Sequence, residues 1–209
     1  MKTKYELLEH CRKALKNNVQ YVYGAKMEVL SAAQIKNLQS AYGKSFVWDS
    51  DLKKAGKLCC DCSGLISSCT GVVRNSSMYK ATAKKCVAVA DVKKNWGDYV
   101  GWAFWMNGHI GVVSDTEGYY FAMDGSARNM VHFPLSKQNW THALMLCDVD
   151  YSAAAELVVG ETLLNVRGKV IRVNRILKDG RNFIELRGLE NAGFTVGYDP
   201  VSKVPSLQG

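Results

Sequence analysis

The chain has little proline, three residues in 209, and no run of about 18 apolar residues long enough to cross a bilayer. It also lacks any block of five or six like charges, any internal repeat and any low-complexity tract. These absences exclude a transmembrane helix and, with aromatics at 10%, a disordered chain. No helix-turn-helix, zinc-finger or aromatic RNA-binding signature is present, so no nucleic-acid partner is expected. The start, Met1-Lys2-Thr3-Lys4-Tyr5-Glu6, has no apolar h-region, so no Sec-type leader is expected. Seven cysteines cannot all pair with one another inside one chain, which points to reduced thiols in a cytoplasm.

What is present suits a basic globule with a substantial core. Hydrophobic residues make up 47%, and 27 Lys+Arg against 19 Asp+Glu give a formal charge of +8. The expected class is α+β, helices first and an antiparallel meander afterwards. Leu7, Leu8, Cys11, Ala14 and Leu15 recur at helical spacing, stopped at Asn17-Asn18. Ser31 with Gln34 has capping-box spacing, Ile35, Leu38 and Tyr42 supply an apolar face, and Gly43 can end that helix. A short helix is expected from Asp49 to Ala55. Strands are expected at His109–Val113, Tyr119–Met123, Val131–Phe133 and Ala143–Cys147, with turns at 115–118 and 124–126. Composition shifts near Tyr151. Residues 1–150 therefore read as one domain, 151–159 as a linker, and 160–209 as a small domain of strand, strand, short helix, strand.

The stretch Cys59-Cys60-Asp61-Cys62-Ser63-Gly64-Leu65-Ile66 carries the chemistry. Cys62, Leu65, Ile66 and Cys69 fit one face of a helix beginning near Cys62. A thiol there meets unpaired N–H groups and the positive end of the helix dipole, so a lowered thiol pKa is expected. The alternative is one buried thiol among seven. A base is needed within hydrogen-bond reach. Of His10, His109, His132 and His142, the expected base is His109, at the head of the most strand-like segment. The spacings of Cys59, Cys60, Cys62 and Cys69 form no matched zinc-ribbon pairs, so no metal and no cofactor is expected.

Asp61-Cys62-Ser63-Gly64-Leu65, Gly108-His109-Ile110-Gly111-Val112, Tyr21-Val22-Tyr23-Gly24 and Gly97-Asp98-Tyr99-Val100 stand in the order seen in NlpC/P60 cysteine peptidoglycan hydrolases, which residues 15–146 resemble. Trp102, Trp105, Gly118-Tyr119 and Trp140-Thr141-His142 further resemble the phage-endolysin branch. The resemblance implies a papain-like fold, with a nucleophile helix packed on an antiparallel sheet. It makes Cys62 the nucleophile and His109 its general base. It sets Tyr21 beside the cysteine as an oxyanion donor, with Ser63 and Trp102 on the substrate side. The family's third catalytic position falls here on Ala122, which cannot orient an imidazole. Asp124 lies two residues on, on the same face of an extended strand, and is the expected substitute. It reads equally as the start of the turn before Gly125; Asn107 and Asp115 are further candidates.

The long spacing between Gly24 and Asp61 departs from compact members, and its helices either wall the cleft or pad the fold. Residues 160–206 resemble the copper-amine-oxidase N-terminal-like, or stalk, domain, through Asn165-Val166-Arg167-Gly168-Lys169, Phe183-Ile184-Glu185-Leu186-Arg187 and Gly193-Phe194-Thr195-Val196-Gly197. These resemblances imply an endolysin cutting either the N-acetylmuramoyl-L-alanine or the D-γ-glutamyl–diamino-acid amide. The expected partner is the Gram-positive wall with its teichoic acid, met after release from the cytoplasm. No membrane insertion is expected, and the tail implies wall binding or dimerisation. An acyltransferase of the same superfamily and a non-catalytic wall-binding scaffold remain the alternatives.

Overall fold

Thr3 starts the first helix through a reciprocal cap. Its hydroxyl accepts the Glu6 N–H, while the Glu6 carboxylate accepts the Thr3 N–H. A two-residue strand, β1 (Lys2–Thr3), thus leads into α1 (Lys4–Lys16). Leu7, Leu8, Cys11 and Ala14 are buried as their spacing predicts, whereas Leu15 falls at the edge of the stripe and is exposed. The structure, a computed structural model, describes residues 1–152, 158–178, 181–199 and 204–208. Two compact units divide it, Met1–Ala153 and Ala154–Gly209. Residues 153–157 of the expected linker lie outside the described residues.

In the first unit, β2 (Gln20–Tyr21), β3 (Lys26–Val29) and β4 (Leu58–Cys60) form a small sheet around β4. β2 runs parallel to β4, which registers Tyr21 against Cys60, two residues before Cys62. Between β3 and β4 lies α2 (Ala32–Tyr42), capped by Ser31 and Gln34 as expected and ended by Gly43 at φ 89°. Ile35 is buried and Leu38 packs beside it, while Tyr42, at the end of that face, is half exposed with its ring over Gly24. A 3₁₀ helix covers Asp49–Lys54.

Then come α3 (Cys62–Thr70), α4 (Ser76–Ala81), β5 (Lys85–Ala88) and α5 (Val89–Lys94). The main sheet adds β6 (Ala103–Met106), β7 (His109–Val113), β8 (Tyr119–Met123), β9 (Met130–Pro134) and β10 (His142–Met145). Its order is β5-β10-β6-β7-β8-β9, antiparallel throughout. β11 (Val149–Asp150) pairs with β1. The last strand of the main sheet ends at Met145, two residues before the expected Cys147. There the Leu146 N–H turns away to the Tyr151 hydroxyl. The sequence gives no signal for β6: Ala-Phe-Trp is buried on both faces, so no alternation marks it.

Period-two alternation splits the packing into two layers. Ala103, Trp105, Ile110, Val112, Phe121 and Met123 join the core that holds Leu7, Leu8 and Cys11 of α1 and Leu65 and Ile66 of α3. Phe104, Val113, Tyr120, Ala122 and Val131 join Trp140 and the α5 residues Val89 and Val92 in the other.

The second unit has a three-stranded antiparallel sheet, β12 (Val158–Val166), β13 (Lys169–Lys178) and β14 (Arg181–Ile184). Arg167 and Gly168, both at positive φ, make its first turn. A 3₁₀ helix at Leu186–Ala192 precedes the hairpin of β15 (Thr195–Asp199) and β16 (Val204–Gln208). Two strands, β14 and β16, thus exceed the expected pattern, and Ile184 closes β14 rather than opening a helix. Ile171, Val173 and Leu189 form the core of this unit.

Candidate active site

Asp61 anchors the head of α3. Its Oδ1 accepts the Gly64 N–H at 2.5 Å and the Ser63 hydroxyl at 2.9 Å. Its Oδ2 accepts the Gly24 N–H at 3.0 Å and the Lys26 ammonium at 2.6 Å. Gly64 is required sterically, since a Cβ there would stand 2.5 Å from the Ala25 carbonyl oxygen. Cys62 occupies the first helical position, buried, with the backbone N–H groups of Ile110 and Ser63 near enough to its sulfur to favour the charged form.

The expectation of a lowered thiol pKa is corrected. Burial first, then the Asp61 carboxylate, push the Cys62 thiol up to about 12, and the two N–H contacts and the Lys26 charge only partly offset them. The helix terminus is therefore outweighed by desolvation. Burial thus favours the S–H form of Cys62 at neutral pH.

His109 begins β7, next to the residue whose N–H lies near that sulfur. Its Nε2 stands 3.2 Å from Asp124 Oδ1, a close ion-pair approach without the alignment of a directed hydrogen bond. Trp140 lies flat on the imidazole, centroids 5.1 Å apart and planes 12° from parallel. Gly111 makes room for that indole: a Cβ would meet it at 3.2 Å and the Phe121 carbonyl at 2.8 Å. The Asp124 side chain is almost wholly buried and also receives Arg128 at 2.8 Å and Gln138 Nε2 at 2.5 Å. Burial pushes its carboxyl up, but His109, Arg128 and Gln138 together hold it below the ordinary carboxylate value. Asp124 also closes the turn, its N–H donating to the Asn129 carbonyl at 2.8 Å. It therefore stands both beside the imidazole and within the turn.

The other candidates are held elsewhere. Asp115 pairs with Arg12, and Asn107 is exposed in the β6–β7 turn. His10 meets the Ser68 hydroxyl at 2.9 Å, His132 the Ser114 hydroxyl at 2.9 Å, and His142 the Thr141 hydroxyl at 2.9 Å. Tyr21 is buried near Cys62, and burial above all, with the neighbouring Cys62 sulfur when ionised and Asp61 adding to it, raises its phenol far above the usual value, so it stays protonated. Its own backbone is clamped: the N–H donates to Asn129 Oδ1 at 2.9 Å, and the carbonyl accepts the Lys54 ammonium at 2.6 Å. Ser63 is buried and spends its hydroxyl on Asp61. Trp102 is buried. It packs in the second core against Tyr99 at 5.0 Å and Tyr151 at 6.1 Å, because the strand alternation that puts Trp105 in one layer puts Trp102 in the other.

Sequence reasoning misses Lys26, Arg128, Gln138 and the stacking role of Trp140. Lys26, Arg128 and Gln138 lie in no motif, and of these only Arg128, four residues from Asp124 across a turn, carries a local signal; Trp140 stands in a motif that does not show what it stacks on. Among the described residues, no group of three His, Cys, Asp or Glu side chains could hold a metal ion. A buried thiol at a helix start, a phenol near it, and an imidazole backed by a carboxylate are groups of the kinds that thiol acyl transfer uses. No protein-family model matches the chain, and neither a curated protein nor a solved structure matches it.

Proposed function

We propose that the protein is a cysteine hydrolase that cuts an amide bond of Gram-positive peptidoglycan, in the manner of the NlpC/P60 enzymes its motifs resemble. The observation that carries this reading is the meeting of α3 with β7: the Cys62 sulfur lies near Ile110, the residue after His109, and His109 is backed by Asp124. Because the thiol is neutral at rest, His109 takes its proton as the sulfur attacks the amide carbonyl. The tetrahedral oxyanion is met by the Tyr21 hydroxyl and the Cys62 backbone N–H. Protonated His109 then gives its proton to the departing amine, leaving a thioester on Cys62. A water, deprotonated by His109, hydrolyses the thioester and releases the acid. Asp124 stays ionised throughout and stabilises the imidazolium.

The formal charge of +8 favours encounter with an anionic, teichoic-acid-bearing wall. The second unit, with its stalk-like sequence, serves wall attachment or dimerisation. The test is clearing of purified walls by the wild type and by Cys62→Ser, followed as turbidity, with mass spectrometry of the released fragments. Clearing by wild type alone is the expected result; equal clearing by the variant would defeat the thiol mechanism.

A further inference from the structure

Half-exposed aromatic rings cluster on the segment inserted between Gly24 and Asp61. Tyr42 and Phe46 are 47% and 52% exposed, unusual for rings of that size, and Trp48 two residues on is 46% exposed. Tyr42 stands edge-on to Tyr23 with centroids 5.1 Å apart, and Phe46 leans on the same Tyr23 at 4.8 Å. The cluster is continuous with the candidate site. The Tyr42 ring lies over Gly24, where a Cβ would stand 2.7 Å from it, and the Gly24 N–H donates to Asp61, the residue before Cys62. Lys26, one-third exposed, closes the near side with its ammonium on Asp61.

We propose that Tyr23, Tyr42 and Phe46 form a sugar subsite that takes the N-acetylmuramoyl ring of the substrate; this rests on the peptidoglycan-hydrolase reading above. A pyranose presents an apolar C–H face and a rim of hydroxyls. It matches flat rings that are covered on one side and wet on the other, with a cation at the edge. An acyl chain needs a closed apolar channel, and these rings instead form a half-solvated ledge. The position also selects the bond. Only one hydrogen-bonded backbone step separates the ledge from Asp61 and Cys62, so a sugar seated there sets its own lactyl carbonyl near the sulfur. The bond cut is then N-acetylmuramoyl–L-alanine rather than an amide further down the stem.

The full chain carrying Cys62→Ala is titrated calorimetrically with N-acetylmuramoyl-L-alanyl-D-isoglutamine and with L-alanyl-D-isoglutamine. The sugar-bearing peptide is expected to bind at least about tenfold more tightly, a difference of about 1.4 kcal/mol. Adding Phe46→Ala or Tyr42→Ala, both at exposed rings, is expected to reduce that ratio to about twofold. Equal binding of the two peptides, or a ratio that survives both substitutions, overturns the subsite. So does Phe46-dependent binding of dihexanoylphosphatidylcholine in place of the sugar. Wild-type digestion of purified wall reports separately on the hydrolase reading. Fragments with a free lactyl acid support the assigned bond, and freed N-terminal diamino acids overturn it. Sugar binding through Phe46 with no fragments released would sink the hydrolase reading and leave the ledge standing.

Discussion

Cys62 lies under two opposed influences, the N-terminus of α3 and near-complete burial, and burial is the larger. Its thiol should therefore give no thiolate absorbance at 240 nm between pH 7 and 9, in a difference measurement against Cys62→Ser, and should titrate near pH 12. Alkylation by iodoacetamide at pH 7, mapped by mass spectrometry, should reach exposed Cys86 long before Cys62. Rapid labelling of Cys62 would mean a thiolate at rest and contradict this picture. At Asp124 the sign is opposite to that of Cys62. A carboxyl whose folded pKa is lowered contributes stability above its unfolded value, about 3.9, and loses it as pH falls through the folded value. Asp124→Asn should flatten the loss of stability below about pH 4, seen in denaturant melts. It should also lower kcat on the order of 10²- to 10⁴-fold with a smaller change in KM, because the imidazolium loses its counter-charge while Trp140 still holds the ring. At this scale the sequence is most informative about local placement: Cys62 at the head of a helix and His109 at the head of a strand stand where their motifs put them. Lys26, Arg128 and Gln138 are not legible. Each acts only through a partner more than three residues away, and a single chain of letters does not show which distant side chains meet.

Among elements, the segment between Gly24 and Asp61 does more than lengthen the chain. Its 3₁₀ helix places Asp51 and Lys54 as a buried ion pair at 2.7 Å. The Lys54 ammonium continues to the Tyr21 carbonyl at 2.6 Å and the Ser126 carbonyl at 2.9 Å, and Asp51 accepts the Ser126 hydroxyl at 3.0 Å. One pair thus ties the Tyr21 backbone to the turn that follows Asp124. Removing one charge leaves the other buried alone, so Asp51→Ala should cost about 3–5 kcal/mol in urea unfolding. The double variant Asp51→Leu with Lys54→Met should cost much less, since no buried charge is left unpaired. If the single and double variants lose equal stability, the pair is not the unit that matters. The element boundaries here are legible because caps and stops are local: Ser31 with Gln34, Gly43, Gly56. The function of the segment is not legible, because it depends on Tyr21 and Ser126 arriving from elsewhere. β6 escapes for a related reason, since a strand covered on both faces leaves no periodic trace.

At the level of the whole molecule, the two units differ in how much apolar surface they enclose. Met1–Ala153 holds large buried clusters on both faces of a six-stranded sheet, with Tyr79, Phe104, Tyr120 and Ile110 almost completely covered. The described part of Ala154–Gly209 has a cluster of Ile171, Val173 and Leu189, while Leu163, Val170 and Phe183 remain exposed. Small units bury a smaller share of their chain and are correspondingly marginal. Opening free energies follow buried apolar contact, so the two should separate under native hydrogen exchange. Amides of β12, β13 and β15 should exchange through low-energy opening, while those of β6, β7 and β8 should wait for global unfolding. The split is also chemical: the last 54 residues carry eight Lys+Arg and six Asp+Glu, so most of the charge of +8 belongs to the unit with the thiol. Early exchange in β12–β15 without loss of wall clearing at the same denaturant concentration would place catalysis wholly in the first unit. Exchange in β7 at the same denaturant concentration as in β12 would instead mean that the two units unfold as one.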